Sequence, residues 1–356
     1  MREHDGIVRR LRNRPSLVGV TAQLQNPSRA VSPWRSAGPI ERQRRRRLLL
    51  GVLVAFVGVA LIFGFPTGRE VLTGWVLVTL WAACAGDLRV WRRAVVRDWL
   101  PLFVVLFAYD LLRGFAKNVG THFANLPTLH ADPLLPQVVA RAHVSEPITI
   151  DRWLFGGSIP TVWLQDRVHE VGVVRWWDLI VVPVYFSHFF VSLAVAIVLW
   201  AIGYPVYRRY VWTLVTLTAV TLVTYAVFPA APPWMAGLPS NGFLPPVDRV
   251  VTTSLRLLGG HTVNSAVERG EAYSNRVAAM PSLHGAVPLM LLLFAWPMVQ
   301  RRTRALLALY VLVMGLTLVY SAEHYVSDLL LGWLYAAAAV YGVRWFVARR
   351  ALPSDP

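Results

Sequence analysis

The sequence predicts an all-α, polytopic membrane helix bundle. Three observations carry this reading. Of the 356 residues, 56% are hydrophobic and only 15% are charged, whereas a soluble domain has about a quarter of its residues charged. The apolar residues gather into long runs, and the basic residues of the short connections fall on alternate sides of those runs. Mean hydropathy is +0.49, in keeping with the first two. The single cysteine, Cys84, excludes an intrachain disulfide.

Residues 1–47 hold twelve Arg against Glu3, Asp5 and Glu41, more than half of the +16 net charge of the chain. Rich in Pro, Ser, Gln and Arg and without apolar periodicity, they read as a disordered basic tail. The run RQRRRR (42–47) abuts the first apolar stretch. A juxtamembrane basic run is drawn to anionic lipid by about 1 kcal/mol per charge. Anionic lipid, not nucleic acid, is therefore the expected partner. Only one of the 35 basic residues is Lys (Lys117), the mark of a GC-rich and hence bacterial genome.

A span of the hydrocarbon core takes about 20 mostly apolar residues. Eight stretches qualify: Leu48–Phe65, Val71–Gly86, Trp99–Phe115, Leu179–Gly203, Val211–Phe228, Pro281–Val299, Ala305–Tyr320 and Tyr325–Val347. Starting the basic tail in the cytoplasm and alternating, the cytoplasmic side receives DLRVWRRAVVRD (87–98), YRR (207–209), QRRTR (300–304) and the C-terminal tail 348–356. The other side receives FPTGRE (65–70), in which Glu70 balances Arg69, the long segments 116–178 and 229–280 and the tight turn SAEH (321–324). Every short basic connection thus lies on one side, as the positive-inside bias requires. The expected location is the plasma membrane of a bacterium, with both termini cytoplasmic. The expected division is a tail (1–47), two extra spans with their loop (48–98), a core (99–347) and a short tail.

The stretch SAEHYVSDLLLGW (321–333) places His324 and Asp328 four apart at the outer mouth of the eighth span. On a helix they share a face. A carboxylate in a membrane costs about 2.5–3.5 kcal/mol on insertion scales, a cost offset when it accepts the proton of one imidazole nitrogen and leaves the other as a lone pair. A structural His–Asp pair at a helix start fits this spacing as well. A second stretch, SNRVAAMPSLHGA (274–286), sets Pro281 at a helix start. Ser282 and the amides of Leu283 and His284 would face an anion there, with His284 in the first turn. Together the stretches bring two imidazoles and a carboxylate beside two helix N-termini on the extracytoplasmic face. That arrangement suits attack on phosphorus, one His as nucleophile and the other as acid for the leaving oxygen.

The PSLH and HYxxD motifs, with this spacing and topology, resemble the type-2 phosphatidic-acid phosphatase superfamily. AMPSLH, FPAAPPW (228–234) and DRWLFGGSIPTVWLQ (151–165) look closer to its inositolphosphotransferase branch, which includes inositol-phosphorylceramide synthases. The resemblance covers roughly 99–345 and implies a six-helix core with two additional N-terminal spans. It also implies roles: His324 attacks phosphorus and becomes phosphohistidine, Asp328 orients it, His284 protonates the leaving group, and Ser282 with its neighbouring amides holds phosphate oxygens. No metal or cofactor is implied. Two departures stand out. Leu318 occupies the position where the phosphatases often carry Arg, and their Lys-x6-Arg-Pro motif is absent. The phosphate cations are then sought at Arg113 and Lys117, at Arg276 and at Arg152. His188 reads as a hydrogen-bonded core histidine, and Trp163 and Trp234 as interfacial anchors. Three functions remain open: transfer of a phosphorylated head group between a lipid and an alcohol, hydrolysis of a lipid phosphate with water as acceptor, and a non-catalytic role in transport or assembly.

Overall fold

The computed structural model describes residues 38–63, 69–108, 142–239, 241–258 and 276–350. Arg113, Lys117, residues 109–115 of the third expected span and residues 1–37 of the tail lie outside them.

Helix α1 (Pro39–Phe63) begins nine residues before its apolar run, so RQRRRR is helical and not part of an irregular tail. Arg45 is buried within it and pairs with Glu41 one turn earlier. α1 packs on α2 (Arg69–Ala83). The next connection is itself helical: α3 (Leu88–Ala94), capped by Asp87 through the amides of Arg89 and Val90, runs into a π-helical turn at Val95–Trp99. That turn buries Asp98, whose carboxylate accepts from Trp200 Nε1 at 3.0 Å and whose carbonyl accepts from Tyr207 OH at 2.9 Å. Leu80, Trp99 and Leu102 share one core with Trp200, Tyr207, Met290 and Val340. The two N-terminal helices are thus built into the bundle, not appended to it.

Two short helices, α4 (Ser145–Leu154) and α5 (Pro160–Val168), precede the long ones. α6 (Trp176–Ile202) starts at a capping box in which the Arg175 amide donates to the buried Asp178 carboxylate at 2.8 Å. Gly203 alone separates α6 from α7 (Tyr204–Val227), so Tyr207–Arg209, expected as a loop, lie in the first turns of α7. α8 (Val250–Leu258), α9 (Leu283–Ala295), α10 (Arg301–Tyr320) and α11 (Val326–Arg350) follow. Among the described residues four helices, at Trp176–Ala201, Pro205–Val227, Arg301–Tyr320 and Val326–Arg349, are long and apolar enough to cross a membrane. α9 has 13 residues, shorter than the expected sixth span. It is wedged between α10 and α11, and α11 also leans on α7.

The fit of α9 against α11 depends on two glycines. A Cβ at Gly332 of α11 would stand 2.4 Å from the carbonyl oxygen of Ser282, and one at Gly285 would stand 2.6 Å from Leu329 Cδ2. Trp333 Nε1 closes the crossing by donating to the Gly285 carbonyl at 3.1 Å. The helix starts that carry His284 and His324 are therefore locked side by side.

Candidate active site

Ser282, not Pro281, begins α9. Its Oγ accepts from the Gly285 amide at 3.1 Å, making it the N-cap, and its own amide donates to the Asp328 carbonyl at 2.9 Å. Ser282 is completely buried, so it braces the helix start from below and does not line its mouth. The first N–H groups of a helix have no intrahelical acceptor. Those of Leu283 and His284 find none among the described residues.

The N-terminus of α11 differs from expectation. Its amides are taken: Tyr325 donates to Asp328 Oδ2 at 2.9 Å, Val326 to Asp151 Oδ2 at 3.0 Å and Ser327 to Asp151 Oδ1 at 2.8 Å. Two buried carboxylates already satisfy the positive end of this helix, so it is no anion trap beside His324. Asp151 escaped the sequence reading because its partners lie 175 and 176 residues away. The signal was a carboxylate directly before Arg152, the residue selected instead. Arg152 lies on the exposed side of α4. Burial pushes the Asp151 carboxyl above its ordinary range, against the pull of the Ser327 and Val326 amides.

His324 and Asp328 come together as the i, i+4 spacing requires. His324 Nδ1 lies 3.3 Å from Asp328 Oδ2, with both side chains buried. With the proton on Nδ1 donated to the carboxylate, Nε2 keeps its lone pair. The preceding turn is tight: Ala322 adopts φ +58°, a conformation uncommon for a residue with a Cβ, and the Leu318 carbonyl accepts from both Glu323 and His324. The Leu318 side chain packs with Met314, Val319 and Leu329, so this position supplies no charge to the site.

His284 lies 6.1 Å from His324, ring centre to ring centre. Tyr185 and His188 of α6 stack on it at 4.8 and 4.0 Å, and Phe189 meets it edge-on at 5.3 Å. His188 is thus a neighbour of the site, closer to it than a remote core histidine. Tyr185, three positions before His188 and so on the same side of a helix, was the available hint.

One cation missed in the sequence is tied to this segment. Arg249, at the entry to α8, donates to Glu323 from Nε at 2.8 Å and from Nη2 at 3.2 Å, and lies over the Trp234 ring at 4.8 Å. Its neighbour Asp248 accepts from His169 Nε2 at 3.0 Å and from Thr253 at 2.7 Å. Burial tends to raise the Asp248 carboxyl, but these bonds outweigh it and hold it below its ordinary value. Gln165 Nε2 donates to the carbonyls of Asp248 and Tyr320, linking α5 to both. Arg276 opens the segment 276–279, whose Ala278 bridges Ala230, which in turn bridges His143. Trp234, expected as an interfacial anchor, donates its amide to the Ala322 carbonyl at 3.0 Å.

The sequence pattern of the PAP2 superfamily matches residues 148–342, more than half of the chain. The chain belongs to the PAP2 superfamily. Comparison with curated proteins and with solved structures returns no match. The matched region of this PAP2 protein starts in α4 and ends in α11, and so includes Asp151, Arg249, His284 and His324 together. Membership fits a membrane protein that processes phosphorylated lipids. Among the described residues no cluster of His, Cys, Asp and Glu has the geometry of a metal site.

Asp151→Ala should test the brace on α11. Two amides would lose their acceptor, and each buried unsatisfied group costs about 1–3 kcal/mol. We expect turnover to fall at least about tenfold with membrane insertion retained, and Asp151→Asn, which keeps one acceptor oxygen, to recover part of it. Wild-type turnover in Asp151→Ala would show that His324 is held without this contact.

Proposed function

We propose that this protein is an integral-membrane phosphotransferase that moves a phosphorylated head group between a lipid and an alcohol at the extracytoplasmic face. The observation that carries the reading is the His324–Asp328 pair, 3.3 Å apart, with His284 6.1 Å away at the same end of the bundle. In the first step Nε2 of His324 forms a bond to phosphorus while the bond to the leaving oxygen breaks, and His284 gives that oxygen its proton. In the second step the acceptor hydroxyl attacks the phosphohistidine, its proton passes to His284, and the N–P bond breaks. Asp328 keeps the Nδ1 proton in place throughout. Arg249 is the cation we assign to phosphate charge in place of the missing phosphatase Arg, with Glu323 holding its guanidinium beside His324.

The preference for transfer within the inositolphosphotransferase-like branch has two supports. The phosphatase-type basic motifs are absent. In addition, the three stretches that carry the resemblance converge on this site: Asp151 reaches the start of α11, Ala230 bridges Ala278 ahead of the PSLH turn, and Gln165 bonds the Tyr320 carbonyl. Hydrolysis uses the same residues with water as acceptor.

Purified protein incubated with labelled phospholipids and prenyl phosphates, with and without polyols, distinguishes the two outcomes. We expect a new phosphodiester that appears only with a polyol. Free phosphate at the same rate with and without polyol would make the protein a phosphatase. In the same assay Arg249→Ala should lower turnover by about 10²–10³, the usual effect of losing one transition-state donor.

A further inference from the structure

α4 and α5 are too short to span a bilayer. At 1.5 Å per residue they measure roughly 15 and 14 Å, about half of the hydrocarbon thickness. Their two faces differ. On α4, Pro147, Ile148 and Asp151 are buried against the start of α11, while Ile150, Trp153 and Leu154 point outward at helical spacing. Trp153 is 80% exposed, and Phe155 and Trp163 are 43% and 48% exposed. Large apolar side chains so displayed mark an interaction surface. Trp176, 68% exposed, opens α6, a helix long and apolar enough to cross a membrane, soon after α5 ends in sequence. Charge does not select the partner. Arg152, Arg167 and Arg175 are balanced by Glu146, Asp166 and Glu170, and Arg175 pairs with Glu170 at 2.6 Å. Arg167 lies over the Trp163 ring at 4.1 Å, an amphipathic pair with an apolar body and a charged rim. Trp in this setting favours the boundary between head groups and acyl chains.

We propose that the α4–α5 unit lies in the lipid interface, its Ile150–Trp153–Leu154 face inserted at the head-group/acyl boundary while Asp151 on the buried face holds the start of α11. The unit then sets the depth of His324 relative to the lipid phosphates and couples seating in the leaflet to the catalytic helix. The inference rests on the phosphotransferase reading for its purpose, but its position in the membrane can be measured without turnover.

The test is a nitroxide at Trp153→Cys in a Cys84→Ala background, in phosphatidylcholine bilayers, with accessibility to oxygen and to a water-soluble nickel chelate. Oxygen should dominate, placing the label about 5–10 Å into the head-group/acyl boundary. Dominance of the nickel chelate would overturn the proposal, as would a label reached by neither agent, which would mean that protein, a second copy or another chain, covers this face. In parallel, Trp153→Asp with Phe155→Asp should slow turnover of a bilayer-borne lipid phosphate roughly tenfold and leave a water-soluble phosphate ester unaffected. Equal loss on both substrates would also overturn it. A lipid-seated label in a protein with no activity toward either substrate would leave the seating intact and remove the phosphotransferase reading.

Discussion

His324→Ala should abolish turnover, and with it any trapped phosphoenzyme. The Nε2 lone pair is the only nucleophile the proposed pathway provides, since Asp328 is committed to His324 and to the Tyr325 amide. Rapid quench with labelled lipid phosphate should capture an acid-labile, base-stable adduct in the wild type and none in His324→Ala. Asp328→Asn should retain the fold but lose about 10³–10⁴ in rate, as when a catalytic triad loses its carboxylate and the wrong tautomer becomes accessible. The substitution also leaves the Tyr325 amide facing a group that can present either oxygen or nitrogen. Label recovered on His284, with His324→Ala still phosphorylated, would invert the two roles.

Gly332→Ala should do comparable damage from a position that touches no substrate. Its new Cβ would meet backbone, the Ser282 carbonyl oxygen at 2.4 Å and the Ser282 carbonyl carbon at 3.2 Å, and backbone cannot swing aside as a side chain can. Overpacking typically costs about 1–3 kcal/mol, and relief here requires α9 to move away from α11. That movement parts His284 from His324. We expect a lowered midpoint of thermal unfolding in detergent and at least about a hundredfold loss of turnover, well beyond what the stability change alone removes. Gly342→Ala, on the same helix with open space around it, should be neutral in both measurements. Equal behaviour of the two variants would show that the close crossing does not set the spacing of the two histidines.

The parts of this fold that the sequence disclosed are those written in local patterns. The apolar runs located α6, α7, α10 and α11 to within a few residues, apart from the entry to α7. The four-residue spacing of His324 and Asp328 placed them in contact, and Ser282–His284 fell at a helix start. What remained hidden is long-range or is decided by competition at a helix end. Nothing local distinguishes Asp151, a carboxylate that caps a helix 175 residues later, from its exposed neighbour Arg152. Arg249 looked like one Arg among many until the fold paired it with Glu323. The N-terminus of α11 resembled an anion site because sequence shows the amides but not the acceptors already bound to them. In sequence the polybasic run looks irregular because Arg supplies no apolar periodicity, yet Arg is a good helix former and the apolar segment behind it propagates the helix backwards.

The Asp151 contact also carries a consequence for how this end of the molecule opens. The amides of Tyr325, Val326 and Ser327 all donate to buried carboxylates, and two of them donate to a carboxylate on a different helix. Solvent reaches those two only when α4 separates from α11, because fraying of α11 by itself does not release them. In hydrogen-exchange terms they belong to one cooperative unit with Ser282, whose amide bonds the Asp328 carbonyl. The opening that exposes them is the same one that dismantles the His324–Asp328 pair, so deuterium uptake at Val326 and Ser327 on heating should track the loss of activity degree for degree.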